Sequence, residues 1–222
     1  KNYFDKKNLV KKKNWKAIVT TGPTREYIDP VRYISNESSG QQGMALIKSL
    51  LKKNYRIVCL HGYLQTKLII SPKIKYVFTP NAKSMLAEAK KNSKVDLAIF
   101  NAAVADYGIQ NYSKQKIKKK SALNLQLKKN PDILKTICSS KQKPKTTIGF
   151  AYETNDVFNN AKKKLKTKKC DYLILNFPVD SDPIFNSKYN NGGILNIKGD
   201  YIEIGKKTKT SFANQIIAHI LK

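Results

Sequence analysis

Six apolar runs of strand length punctuate this chain: Ala17–Thr21, Arg56–His61, Lys75–Phe78, Val95–Asn101, Thr146–Ala151 and Asp171–Asn176. Between several of them the apolar residues recur with a helical period instead. Met44-Ala45-Leu46-Ile47 with Leu50-Leu51 is one such stretch, Met85-Leu86 with Ala89 a second, and Ile133-Leu134 with Ile137 a third. Strands alternating with amphipathic helices predict an α/β fold with a mostly parallel sheet covered on both faces. Ligands of such sheets bind beyond the carboxyl ends of the strands, near the point where the strand order reverses. Asn81 and Asn155 are placed to cap helices, and Asn130-Pro131 reads as a cap followed by a proline at the first helical position. The tail departs from the alternation. Gly192-Gly193, Ile194–Ile197, a turn at Lys198-Gly199-Asp200 and Tyr201–Ile204 read as a β-hairpin, followed by a closing helix from about Ser211 to Leu221.

A length of 222 residues suits one domain with a sizeable core. No apolar run approaches the ~20 residues that a membrane span needs. The opening KNYFDKKNLVKKKNWK is basic without an apolar h-region, so it reads as a linker over residues 1–15 rather than a secretory signal. A start at Lys1 points to a piece of a longer chain. Cys59, Cys138 and Cys170 have no metal-like spacing and sit in or beside apolar runs, which suggests buried thiols in a reducing cytoplasm. The net charge of +28 is compatible with a nucleic-acid partner. Its lysines are spread over many segments without interleaved aromatics, however, so drift toward Lys, Asn and Ile is the plainer account and a nucleic-acid partner is not expected. His61 and His219 lack partners for a metal site or a catalytic triad and read as structural.

The stretch TTGPTREYIDPVRYISNESSGQQG, residues 20–43, is denser in information. Two of the chain's three arginines, Arg25 and Arg32, lie in it beside Glu26 and Asp29. A guanidinium organises carboxylates by bidentate pairing in a way that lysine does not; the carboxylates can belong to the protein or to a ligand. Ser38-Ser39-Gly40-Gln41-Gln42-Gly43 precedes a helix and offers either a cap or an anion site. It is not the G-x-G-x-x-G dinucleotide fingerprint. Tyr107–Ser121 carries a lysine cluster with little apolar periodicity, and reads equally as a basic lid over a polyanion or as a solvated loop. Lys164 and Lys168 fall on one helix face.

The motifs Thr21-Gly22-Pro23-Thr24-Arg25-Glu26, Ile28-Asp29-Pro30-Val31-Arg32-Tyr33-Ile34-Ser35-Asn36 and Ser38-Ser39-Gly40 resemble the signature of phosphopantothenate–cysteine ligase, also called phosphopantothenoylcysteine synthetase. Ala102-Ala103-Val104-Ala105-Asp106-Tyr107, Lys116-Ile117-Lys118-Lys119, Asn130-Pro131-Asp132-Ile133, Gly149-Phe150-Ala151 with Glu153-Thr154, and Lys164, Lys168 and Asp171 follow in the family's order. The resemblance covers residues 16–222. It implies a Rossmann-like sheet with a C-terminal β-hairpin extension, a cytoplasmic homodimer, and often fusion to a flavin-dependent decarboxylase, the only part that would need FMN. The implied reaction uses CTP and Mg²⁺ to activate 4′-phosphopantothenate as an acyl-cytidylate, which L-cysteine then converts to the amide.

Site roles are likewise implied by the resemblance. Asn36 would hold the acyl intermediate, and Lys116 would contact the nucleotide and drive conversion of the intermediate. Asp106 would meet Mg²⁺ or a sugar hydroxyl. Phe100, Asn101, Ala102, Asn130, Pro131, Asp132, Ile133 and Phe150 would frame the base, with Lys164 and Lys168 on the triphosphate. Ser38, Ser39, Gly40, Phe185 and Asn190 would meet the acid substrate. Three positions depart from the family's pattern: Glu37 stands in place of histidine, and Tyr152 and Thr21 in place of alanines. Rival readings are a nucleotide-cofactor oxidoreductase on a similar sheet, or a basic nucleic-acid-binding domain.

Overall fold

The apolar run at Ala17 becomes the centre of the sheet. The structure, a computed structural model, describes residues 14–119, 122–152, 156–177 and 187–221; most of the basic linker, Asn155 and Phe185 lie outside them. In chain order the elements are β1 (Lys16–Thr21), β2 (Arg25–Tyr27), β3 (Tyr33–Ser35), α1 (Gln41–Lys52), β4 (Arg56–His61), β5 (Ile74–Phe78), α2 (Ala82–Lys91), β6 (Leu97–Phe100), β7 (Tyr107–Ile109), β8 (Leu127–Lys129), α3 (Ile133–Cys138), β9 (Thr146–Tyr152), α4 (Val157–Lys168), β10 (Tyr172–Asn176), β11 (Tyr189–Asn190), β12 (Gly192–Asn196), β13 (Tyr201–Glu203), β14 (Lys207–Thr208) and α5 (Lys209–Ile220).

Eight strands form one sheet in the order β13-β12-β10-β9-β6-β1-β4-β5. All neighbours from β10 to β5 pair in parallel, whereas β12 and β13 are antiparallel. Numbered by chain position, the six parallel strands run 3-2-1-4-5-6, so the order reverses between β1 and β6. Residues alternate between the sheet's two faces. Ala17, Val19, Ile57 and Ile99 pack with Leu46, Ile47, Phe212 and Ile216 of α1 and α5. Ile18, Leu60 and Ala98 pack with Met85 of α2 and Ile133 and Ile137 of α3. Toward the far edge, Leu173 and Leu175 meet Ala161 and Leu165 of α4. Burial on both faces is why these strands read as unbroken apolar runs.

The six expected strands, the three amphipathic helices and the hairpin all form, and the closing helix starts two residues early. Asn81 caps α2 as expected, in a capping box: its side chain accepts from Ser84 N at 2.8 Å and Ser84 Oγ meets the Asn81 N–H at 3.2 Å. Asn130 is not the cap of α3. That position belongs to Asp132, which accepts from Lys135 N at 3.0 Å, because Asn130 is drawn away by tertiary bonds described below. Three two-stranded ribbons, β2–β3, β7–β8 and β11–β14, form where the sequence suggests only loops. Their strands are two or three residues long, too short to show a period.

Candidate functional site

Beyond β1 and β6 the two chain segments stay zipped together rather than splaying at once. Thr20 is buried, and its hydroxyl oxygen accepts from the N–H groups of Asn101 (3.1 Å) and Ala102 (3.2 Å). Ala103 N donates to Gly22 O at 3.0 Å, and the Thr24 hydroxyl accepts from Ala105 N at 3.0 Å. Asn36 Nδ2 then donates to Val104 O (3.1 Å) and Asn130 Nδ2 to Ala105 O (2.9 Å), while the Asn130 N–H donates to Asp106 O (2.8 Å). Three segments, at Thr20–Thr24, Asn36 and Asn130, thus converge on the 102–106 segment, because its backbone polar groups must find partners.

The opposite lip is the start of α1. Gly40 takes the left-handed conformation (φ 79°) that side chains disfavour, and turns the chain into the helix. Thr21 Oγ1 donates to Gly40 O at 3.2 Å, and a Cβ placed on Gly43 would sit 2.0 Å from that hydroxyl oxygen. The departure at Thr21 is therefore absorbed structurally, as a tie between β1 and α1. Ser38 and Ser39 turn their hydroxyls to the N–H groups of Gly40 (3.3 Å) and Gln41 (3.4 Å).

Between these lips lies a cleft of about 920 Å³ at the reversal of strand order. It gathers Asn36, Ser38, Ser39, Gly40, Phe100, Asn101, Ala102, Asp106, Asn130, Pro131, Asp132, Ile133, Phe150, Lys164, Lys168 and Asn190. Of the site residues expected from sequence, only Lys116 and Phe185 are not among them; Phe185 lies outside the described residues. Glu37 and Tyr152, the other two departures, also line the cleft with Gln42 of the Ser38–Gly43 turn, as do Lys129, Asn176 and Lys209, to which the sequence assigned no site role. Lys209 is half-buried at the first turn of α5; burial pulls its ammonium below the ordinary lysine range, and it donates to Ser187 O. Four lysines face three carboxylates (Glu37, Asp106, Asp132) in the lining, and Lys168 pairs with Asp132.

Lys116 is exposed and off the cleft, and its neighbour explains the placement. Asp29, fully buried, accepts from Ile117 N at 3.1 Å and pairs with Arg32 at 2.7 Å. Arg32 Nη2 donates to Ile117 O at 2.6 Å. One ion pair in the arginine-bearing stretch therefore grips both backbone groups of the residue beside Lys116. Burial opposes ionisation of Asp29, but N–H bonds from Val31, Ile117 and Arg32, with the guanidinium, hold its carboxyl below the usual range. Arg25 behaves differently. Its guanidinium carbon lies 3.7 Å from the centre of the Tyr63 ring and 4.1 Å from that of Tyr33, stacked rather than carboxylate-paired. Glu26 instead accepts from the Ala82 N–H of α2 at 2.9 Å, and burial raises its pKa.

Among the described residues no three His, Cys, Asp or Glu side chains cluster as a metal cage. Asp106 supplies one exposed carboxylate at the cleft, a donor set that fits Mg²⁺ shared with ligand phosphates rather than a cage built by protein alone.

A parallel sheet in this strand order, with a polar and cationic cleft at its reversal, defines a Rossmann-like α/β protein. The chain belongs to the DNA/pantothenate metabolism flavoprotein C-terminal domain family, which it matches over residues 12–222. It is 35% identical over 207 residues to the coenzyme A biosynthesis bifunctional protein CoaBC of Haemophilus influenzae, covering 92% of this chain and 50% of that protein. It is also 33% identical over 228 residues to a cysteine/cysteine sulfinic acid decarboxylase of an unknown prokaryotic organism, covering 99% of this chain and 62% of that protein. The chain thus spans about half to three-fifths of the length of these relatives. Among solved structures, the crystal structure of the C-terminal domain of CoaBC superposes with a TM-score of 0.77 at 30% identity, covering 93% of each chain.

Proposed function

We propose that the chain is a phosphopantothenate–cysteine ligase domain. The observation that carries this reading is the convergence of the 35–42, 102–106 and 130–133 motifs, with Phe150, Lys164 and Lys168, on one cleft. The relatives bear names that point to two different activities, so the geometry has to choose between them. A cleft that combines four lysines and backbone amides with few carboxylates suits a nucleotide and a phosphorylated acid.

In this reading the carboxylate of 4′-phosphopantothenate attacks the α-phosphorus of CTP, pyrophosphate leaves, and an acyl-cytidylate remains. The cysteine amine attacks its carbonyl, CMP leaves, and the nitrogen loses a proton. Asn36, its amide already oriented by Val104 O, has a second N–H to offer the carbonyl oxygen as charge develops. Lys129, Lys164, Lys168 and Lys209 offset phosphate charge, and Asp106 would hold Mg²⁺, which would supply further charge neutralisation when bound. Lys116 joins the site when its segment closes and excludes water.

A homodimer belongs to the same reading. Val31 and Tyr33 at the β2–β3 ribbon, and Tyr107, Tyr112, Leu123, Leu125 and Leu127 at or near the β7–β8 ribbon, are large exposed apolar side chains. We further propose a cytoplasmic protein whose preceding segment links it to a flavin-dependent decarboxylase; among the described residues no helix is long and apolar enough to cross a membrane. The test is pyrophosphate release from CTP that depends on 4′-phosphopantothenate, followed by CMP formation that depends on cysteine. No release with CTP or ATP, from a folded sample with Mg²⁺, sinks the ligase reading.

A further inference from the structure

Two side chains in the wall of the cleft make only half of the hydrogen bonds they need. Gln42 in the first turn of α1 and Asn190 at the end of β11 are 8% and 3% exposed. Asn190 Nδ2 donates to Gln42 Oε1 at 2.8 Å. The other amide atoms, Gln42 Nε2 and Asn190 Oδ1, are buried without a partner among the described residues. Exchanging oxygen and nitrogen in both amides leaves the same inventory: one mutual bond, one orphan donor and one orphan acceptor.

Buried polar groups are normally satisfied, so a persistent pair of orphans in a ligand cleft points to a ligand group. The two orphans sit on side chains already joined by one bond, one offering a donor and the other an acceptor. A single ligand group that completes both must therefore accept and donate. A hydroxyl does so through a single oxygen. A trans amide does so only through two groups, N–H and C=O, that point in opposite directions.

We propose that Gln42 is a specificity-determining residue that, with Asn190, reads a hydroxyl of the acid substrate. Gln42 Nε2 donates to the hydroxyl oxygen, and the hydroxyl donates to Asn190 Oδ1. This deepens the ligase reading and rests on it: 4′-phosphopantothenate carries one secondary hydroxyl, on the carbon next to its pantoyl carbonyl. The ribose of the nucleotide is the other source of hydroxyls in the cleft. Gln42 follows Ser38–Gly40 at the start of α1, the segment that the ligase reading gives to the acid, and the acid's hydroxyl is assigned on that ground.

The test compares kcat/KM for 4′-phosphopantothenate and for its analogue with hydrogen in place of that hydroxyl, in the wild-type chain, Gln42→Met and Gln42→Glu. The Glu variant keeps the acceptor for Asn190 and removes the donor, and thermal melting confirms that each variant is folded. The wild type should prefer the hydroxylated acid by roughly 10- to 100-fold. Both variants should shrink that preference to about 3-fold or less. A purely structural role for Gln42 would slow both acids equally and leave the ratio intact, which overturns the proposal. So does a wild-type ratio near one, the result if water fills the pair. A parallel series with 2′-deoxy- and 3′-deoxy-CTP assigns the source: if Gln42 substitution abolishes discrimination there and not against the acid, the assignment is wrong. Absence of any turnover by the wild type fails the ligase reading itself, and the inference with it.

Discussion

Asn36 and Lys116 carry the chemistry in the proposed reaction, and the structure treats them in opposite ways. Asn36 is held at the cleft by its bond to Val104 O, so its remaining amide atoms have a set direction. Asn36→Asp replaces a donor with a negative charge facing a carboxylate substrate. Product formation should fall by about 10²–10³-fold or more, the usual loss for an oxyanion donor, and cysteine-dependent CMP release measures it. Wild-type turnover in that variant removes Asn36 from the mechanism. Lys116 stands outside the cleft, so it can act after binding without being needed for it. Lys116→Gln should retain pyrophosphate release, accumulate acyl-cytidylate and lose amide product; rapid quench with chromatography separates these species. Unimpaired amide formation in that variant excludes the role.

At the scale of elements, the Asp29–Arg32 ion pair works as a clamp on the lysine segment. Asp29→Ala releases Ile117, so trypsin should cut at Lys114–Lys119 several-fold faster than in the wild type, and an unchanged cleavage rate argues against the clamp. The same contact predicts a pH dependence. The folded Asp29 carboxyl titrates below its ordinary value of ~3.9, so the clamp is complete above about pH 4 and fails as acid protonates it further down. Hydrogen exchange at the Ile117 amide should accelerate only in that acid range, after correction for the intrinsic rate. Elsewhere, Asn81 and Ser84 close a reciprocal cap on α2. Asn81→Ala should cost about 1 kcal/mol in urea unfolding, and a loss near zero would mean that packing of Met85 and Ala89 alone sets the helix start.

Across the whole molecule, burial on both sides of the sheet governs reactivity as well as stability. Burial raises the thiols of Cys59 and Cys170 to about 12 and lifts Cys138 in the same direction. A thiol reagent at pH 8 should therefore label fewer than one of the three cysteines in the native protein and all three in guanidinium. Rapid native labelling would contradict the packing at Cys59 and Cys170. The sheet itself was legible from sequence because period and length are local properties: the runs at Ala17, Arg56 and Thr146 start and stop within one or two residues of their strands. So was most of the cleft, since the motifs at 36–40, 102–106 and 130–133 end up in it.

Other features needed the chain to be folded. The ribbons β2–β3 and β7–β8, the stacking of Arg25 between tyrosines, the loss of Asn130 from the helix cap and the grip of Asp29 on Ile117 all arise from partners distant in sequence. Gln42 and Asn190 are the clearest case, being 148 positions apart and joined by one bond. Sequence by itself determined the strands of the main sheet and the amphipathic helices against it, because apolar spacing encodes burial residue by residue. Only the tertiary structure decided which polar groups are satisfied within the protein and which are left to a ligand, because that depends on distances between segments that no local pattern records.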